Sequence, residues 1–160
     1  MPHFFTDRRG GESLGVYESL NLALHVGDDP AVVNSNRAKI GSAQFMNQVH
    51  GDHIEVIDAI SSEIPTCDGI ITTTPNLSLA VMVADCIPLL LISKEVVGAI
   101  HVGRAGLVNR IALKAIRQMR SLGAIEIHAV LGPSICGSCY EVPFEMQQVV
   151  IADHPRAFAT

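Results

Sequence analysis

Apolar residues along this chain fall into runs of two kinds, and the difference between them predicts the secondary structure. Short stretches of β-branched and other apolar residues, closed by Gly, Pro, Asn or Asp, recur at roughly 43–49, 53–58, 68–73, 78–84, 88–93 and 96–101 and predict strands. Residues 125–132 (IEIHAVLG) alternate as a further strand, and FFTD at 4–7 predicts a short one before the RRGGESLG turn. Helical spacing dominates at 107–122. There Leu107, Ile111, Ala112, Ala115, Ile116 and Met119 share one face, and Arg110, Lys114, Arg117 and Arg120 occupy much of the other. An earlier helix is marked by Asp28 or Asp29 as cap and Pro30 at the first helical position, and runs to about Lys39. Pro143 starts a last helix that reaches about Ala152. Many strands, three helices and no regular βαβ alternation predict an α+β fold, with mixed β-sheets in layers and flanking helices. No repeat or linker interrupts the pattern, so one domain over 1–160 is expected.

Composition narrows the class. A chain of 160 residues can bury roughly two-thirds of its unfolded surface, so it needs no metal or disulfide as a staple. Hydrophobic residues make up 48% and charged residues 17%, yet the longest apolar stretch, 77–92, is cut by Asp85 and Pro88, which argues against a membrane partner. MPHFFTDRRGG lacks the basic-then-apolar order of a signal peptide, so a cytoplasmic location is expected. The formal net charge is −5, Trp is absent and Tyr is scarce, which argues against nucleic acid as a partner. Four cysteines then read as free thiols in a reducing compartment. Cys136-Gly-Ser-Cys139 has the spacing of redox pairs and of half a zinc site, but no second pair completes such a site, and it is read as structural. Neither a dinucleotide fingerprint nor a phosphate loop is present.

Against this background three residues carry chemistry. His50 (QVHG, 48–51), Cys86 (VADCIPLLL, 83–91) and His101 (GAIHVGRAG, 98–106) each sit at the edge of an apolar run. Two imidazoles and a thiol suffice to hold one zinc ion with a coordination position left open. Their separations exceed those of a zinc-finger knuckle, so such a site has to be assembled by the tertiary fold. From the residues alone, surface histidines and a buried small cysteine are the competing reading.

SLNLALHVGDD at 19–29, the helix ending Asn36-Arg37, QVHG, CDGIIT at 67–72, VADCIPLLL, GAIHVG and LGPSICGSCYEV at 131–142 together resemble the YfiH family. Members of that family have been called multicopper polyphenol oxidases or laccases, and a mammalian relative acts in purine metabolism. The resemblance implies the YfiH-like α+β fold and a metal-dependent centre at His50, Cys86 and His101. Zinc is the metal expected on chemical grounds, with copper as the alternative. The activity implied is purine nucleoside chemistry: phosphorolysis of adenosine, inosine, guanosine or methylthioadenosine, and hydrolytic deamination of adenosine. The partners are then a nucleoside and phosphate.

For deamination, Asp85 is the candidate acid beside Cys86. For phosphate, Arg37 and Arg104 are the candidate anion ligands, against the plain reading of a solvated ion-pairing arginine. Asn21 is a candidate for the ribose or the purine edge, against a role in its own turn. Tyr140 is a candidate pocket wall, against ordinary packing.

The chain departs from the family at His101-Val102-Gly103-Arg104-Ala105-Gly106, where most members read HAGWRG. The Trp is missing and the Arg falls one position early. Family chains also continue beyond the last helix seen here, so an exposed sheet edge favouring a homo-oligomer is expected. Three other readings stand beside the leading one: a hydrolase of a cell-wall precursor with Cys86 as nucleophile and a histidine as base, a polyphenol oxidase, and a weakly active assembly module.

Overall fold

A computed structural model describes residues 2–157. Its frame is a five-stranded mixed sheet, in the order β1-β2-β4-β3-β5, with four α-helices, an α+β architecture. The strands are β1 (Ile54–Val56), β2 (Gly69–Thr72), β3 (Ile87–Ile92), β4 (Val97–Val102) and β5 (His128–Leu131). β1 and β2 run parallel, and the other neighbours are antiparallel. β3 and β4 form a hairpin whose turn is closed by Ser93. Its hydroxyl accepts from the amides of Glu95 and Val96.

Period two divides the sheet into two faces. Ile100, Val102, Leu89, Leu91, Ile71 and Ile54 join one core cluster, closed by Ile111, Ala115 and Met119 of α3 (Ile111–Ser121). Ala99, Ile70 and Leu90 lie on the opposite face with Met46, Cys67, Leu79 and Val81. β4 is therefore covered on both sides and reads as an almost unbroken apolar run. His101 shares the face of Ala99.

Helix α1 (Pro30–Lys39) starts as the sequence predicts: the Asp29 carboxylate accepts from the Ala31 amide at 2.8 Å and Pro30 occupies the first turn. Gly41, at φ +97°, carries the chain out of it. The predicted helix over 107–122 is instead two, α2 (Arg104–Val108) and α3, because Arg110 adopts the left-handed conformation at φ +60°. Leu107 still packs against the same core as α3. The apolar stripe is thus continuous where the backbone is not, and spacing alone cannot detect the break. Helix α4 (Phe144–Asp153) follows Pro143 as expected.

Two predicted strands, 43–49 and 78–84, do not form ladders. They meet in an isolated bridge between Gln44 and Leu79, and Asn47 bridges to Thr66. Beyond the first bridge the Gln48 side chain takes the place of a strand backbone, donating to the Met82 carbonyl at 2.7 Å and accepting from its amide at 2.9 Å. The strand predicted at 4–7 is irregular chain.

Candidate metal centre

His50, Cys86 and His101 come together at one end of the β3-β4 hairpin. Each offers one ligand atom, and the three atoms lie within 4.8 Å of one another. His101 ends up there as the penultimate residue of β4, and Cys86 as the residue just before β3. Since Ile87 pairs with Val102, Cys86 falls opposite Gly103. A methyl group on Gly103 would stand 3.0 Å from His50 Cδ2, 3.3 Å from Cys86 Sγ and 3.6 Å from His101 Cε1. The glycine is the floor on which the three side chains meet.

His50 arrives from irregular chain, and what holds it is Asp68. This residue directly precedes β2 and is fully buried. Its carboxylate accepts from three successive amides, Val49 (3.3 Å), His50 (2.9 Å) and Gly51 (2.7 Å), and from His101 Nδ1 (2.7 Å). The left-handed backbone of His50, φ +60°, turns those amides onto one carboxylate. Its conformational cost, of order 1–2 kcal/mol, is offset by these charge-assisted bonds. With Nδ1 donating to Asp68, His101 keeps Nε2 as its free donor atom, the carboxylate–histidine arrangement that orients metal ligands. The His50 and His101 rings meet edge to face, with centroids 4.7 Å apart.

The electrostatics follow from this geometry. Burial works against the charge on Asp68, but the bonds from His101, Gly51 and Val49 outweigh it and hold the carboxyl below its ordinary value. Burial pushes His101 down, against the pull of Asp68, so the imidazole is favoured in its neutral, ligating form. Burial, with Asp85 and Asp68 adding to it, pushes the Cys86 thiol up. The donor set, the glycine floor and the carboxylate behind His101 together suit a divalent metal of zinc's preferences.

The other sequence-derived candidates are spread more widely. Asp85 is exposed in the bend before Cys86, where its carbonyl accepts from the Ile135 amide. Arg104 opens α2, half-buried and directly after Gly103. Tyr140 is exposed in the loop before α4. Asn21 is engaged locally, accepting from the Ala23 amide and donating to Asp28 Oδ2 at 2.9 Å.

Arg37 lies 4.1 Å over the Phe45 ring and donates to the Leu22 carbonyl at 2.8 Å. It borders a hollow of about 280 Å³ with Leu24, His25, Met46, Asn47, Ile64 and Met82. A more open one of about 390 Å³ is lined by Arg37, Ala38, Gly41, Ser42, Ala43 and Phe45. Neither hollow is lined by the three clustered residues, although Gln48, two positions before His50, grips Met82 at the rim of the smaller. Asp68 was not singled out by sequence reasoning. The available signal was an acidic residue set immediately before the apolar run Gly69-Ile70-Ile71.

A family model described as multi-copper polyphenol oxidoreductase laccase matches residues 2–160. A purine nucleoside phosphorylase of Streptomyces coelicolor is 44% identical over 172 aligned residues, covering 98% of this chain and 71% of the relative. One from Mycobacterium tuberculosis is 41% identical over 168, covering 97% and 67%. Among solved structures, a Neisseria meningitidis protein of the DUF152 family superposes with a TM-score of 0.82 at 32% identity. The YfiH protein of Bacillus licheniformis does so with 0.83 at 31%. The two matches cover 93% and 92% of this chain, which spans 64% and 63% of the length of those structures.

Proposed function

We infer function from one premise: the chain belongs to the family described as multi-copper polyphenol oxidoreductase laccase, whose YfiH members it matches in fold and sequence. We propose that it is a zinc-dependent purine nucleoside phosphorylase with its centre at His50, Cys86 and His101. The observation that carries this reading is the convergence of those three side chains on the Gly103 floor, with Asp68 fixing the tautomer of one. The names of the relatives supply the substrate class.

When bound, zinc would supply Lewis-acid polarisation of an oxygen on the substrate side. The chain's own residues do the rest. Asp68 holds a proton at His101 Nδ1 and keeps its Nε2 lone pair available. In phosphorolysis a phosphate oxygen bonds to the anomeric carbon as the bond to the purine nitrogen breaks, so positive charge builds on the sugar while an anion must be held beside it. Arg104, directly after the glycine floor, and Arg37, facing the hollow at Met82, are the cationic groups for that anion. The leaving purine takes a proton at its ring nitrogen, and Asp85, exposed in the bend carrying Cys86, is the carboxylate nearest in sequence to relay it from solvent. The same carboxylate would serve the departing ammonia in adenosine deamination. Asn21 and Tyr140 are then contacts to the nucleoside.

Two alternatives are weaker on specific grounds. A thiol hydrolase would draw on the same Cys86 and His101, but the relatives are named for purine nucleoside phosphorolysis. A multicopper oxidase needs several grouped copper sites, and among the described residues one cluster of three such ligands is found. Incubation with adenosine, with and without inorganic phosphate, tests the reading. Adenine released only with phosphate supports phosphorolysis, and inosine formed without it supports deamination. If purified zinc-loaded protein forms neither product, the purine reading fails.

A further inference from the structure

The turn Cys136-Gly137-Ser138-Cys139 stands outside the cluster described above. Both cysteines are exposed and their sulfurs lie 3.1 Å apart. The Cys139 amide donates to the Cys136 carbonyl at 3.0 Å, which closes the turn around the pair. An approach of about 1 Å would bring the sulfurs to the ~2.05 Å of a covalent disulfide. The remaining two cysteines are placed differently. Cys67 is buried, its thiol pushed up to about 11 by burial, and Cys86 belongs to the cluster.

We propose that Cys136 and Cys139 form a reversible dithiol–disulfide couple that exchanges with low-molecular-weight disulfides of the glutathione type. The two sulfurs divide the work. The Cys139 sulfur and its own amide hold the Cys136 thiol below its ordinary value, while the same contact holds Cys139 above it. Cys136, as thiolate, attacks one sulfur of the small disulfide and expels the other as a thiolate, leaving a mixed disulfide on Cys136. Cys139 then loses its proton to solvent and attacks the Cys136 sulfur, expelling the second small thiolate. The balance is one disulfide reduced to two thiols, two cysteine S–H bonds lost and one S–S bond made. The turn is anchored beside the cluster, since the Ile135 amide donates to the carbonyl of Asp85 and the Gly132 amide to that of Pro88. The couple therefore borders the bend that carries Cys86 and contributes no ligand to it.

The test is to equilibrate the whole chain in glutathione buffers of graded ratio, quench with acid, and alkylate after unfolding. Peptide masses then report each cysteine separately. Cys136 and Cys139 are expected to lose alkylation together in one transition, as an internal disulfide that dithiothreitol reverses, with Cys67 still alkylatable. In Cys139→Ser the ring cannot close, so a glutathione adduct accumulates on Cys136 and is released by dithiothreitol. Retention of both alkylations at the most oxidising ratio overturns the proposal. So does a wild type that stops at stable glutathione adducts. Because the wild-type readout involves neither nucleoside nor metal, its outcome is independent of the proposed enzymatic activity.

Discussion

Asp68 receives four hydrogen bonds at a position with no exposed surface, and the placement of two of the three clustered side chains depends on it. In Asp68→Asn the amide half of the side chain must face one of these donors. The expected result is a 10–100-fold loss of zinc affinity, the usual scale for a group that orients a ligating histidine. Competition with a chromogenic chelator measures it. Gly103 acts by what it lacks: in Gly103→Ala the new methyl meets His50 and Cys86 at 3.0 and 3.3 Å. Zinc affinity is expected to fall while the far-UV circular dichroism stays as in the wild type. An unaltered chelator titration would remove the glycine floor from the account.

At this scale the three clustered residues were legible as candidates because imidazole and thiol chemistry is written in the side chain itself. Asp68 was not. An acid in front of an apolar strand says nothing of which amides it meets, and here they come from residues 49–51, brought near only by the fold.

Among the elements, legibility followed the reach of the stabilising interaction. α1 was readable because its start is local: cap, proline and first turn lie within three residues. Asp29→Ala removes that cap and is expected to cost about 1 kcal/mol, seen as a lower urea midpoint with unchanged slope. Asp28, next to it, gathers the preceding loop by accepting from Ser13 Oγ at 2.6 Å and Asn21 Nδ2 at 2.9 Å. The bonds from Asn21 and Ser13 hold its carboxyl below the ordinary value. A carboxyl lowered in the folded state stabilises above its unfolded value, about 3.9. That contribution disappears as pH falls through the folded value. Urea midpoints taken from pH 5 down to pH 3 are therefore expected to fall less steeply in Asp28→Asn than in the wild type, and parallel profiles would contradict the assignment. The predicted strands at 43–49 and 78–84 failed for the opposite reason. Their apolar, strand-like composition is real, but the Gln48 side chain occupies the backbone of Met82 where a ladder would have continued.

For the whole molecule, period two on β4 separates structural from chemical duties. Ile100 and Val102 pack beneath α3, while Ala99 and His101 face the irregular layer from which His50 descends. The order β1-β2-β4-β3-β5 could not be read from the chain, since it is set by contacts between distant segments. The α+β class followed from counting elements, but the juxtaposition of His50 with the β3-β4 hairpin needed that order. The measurement bearing most directly on the whole is the initial rate of phosphate-dependent base release from inosine as zinc is titrated back into chelator-stripped protein, for wild type and Cys86→Ala. The account predicts no rate in the stripped wild type, recovery that saturates near one zinc per chain, and a loss of at least about 100-fold in Cys86→Ala, as for a group essential to transition-state charge stabilisation. Full activity in the stripped protein, or a Cys86→Ala curve that overlays the wild type, would contradict it.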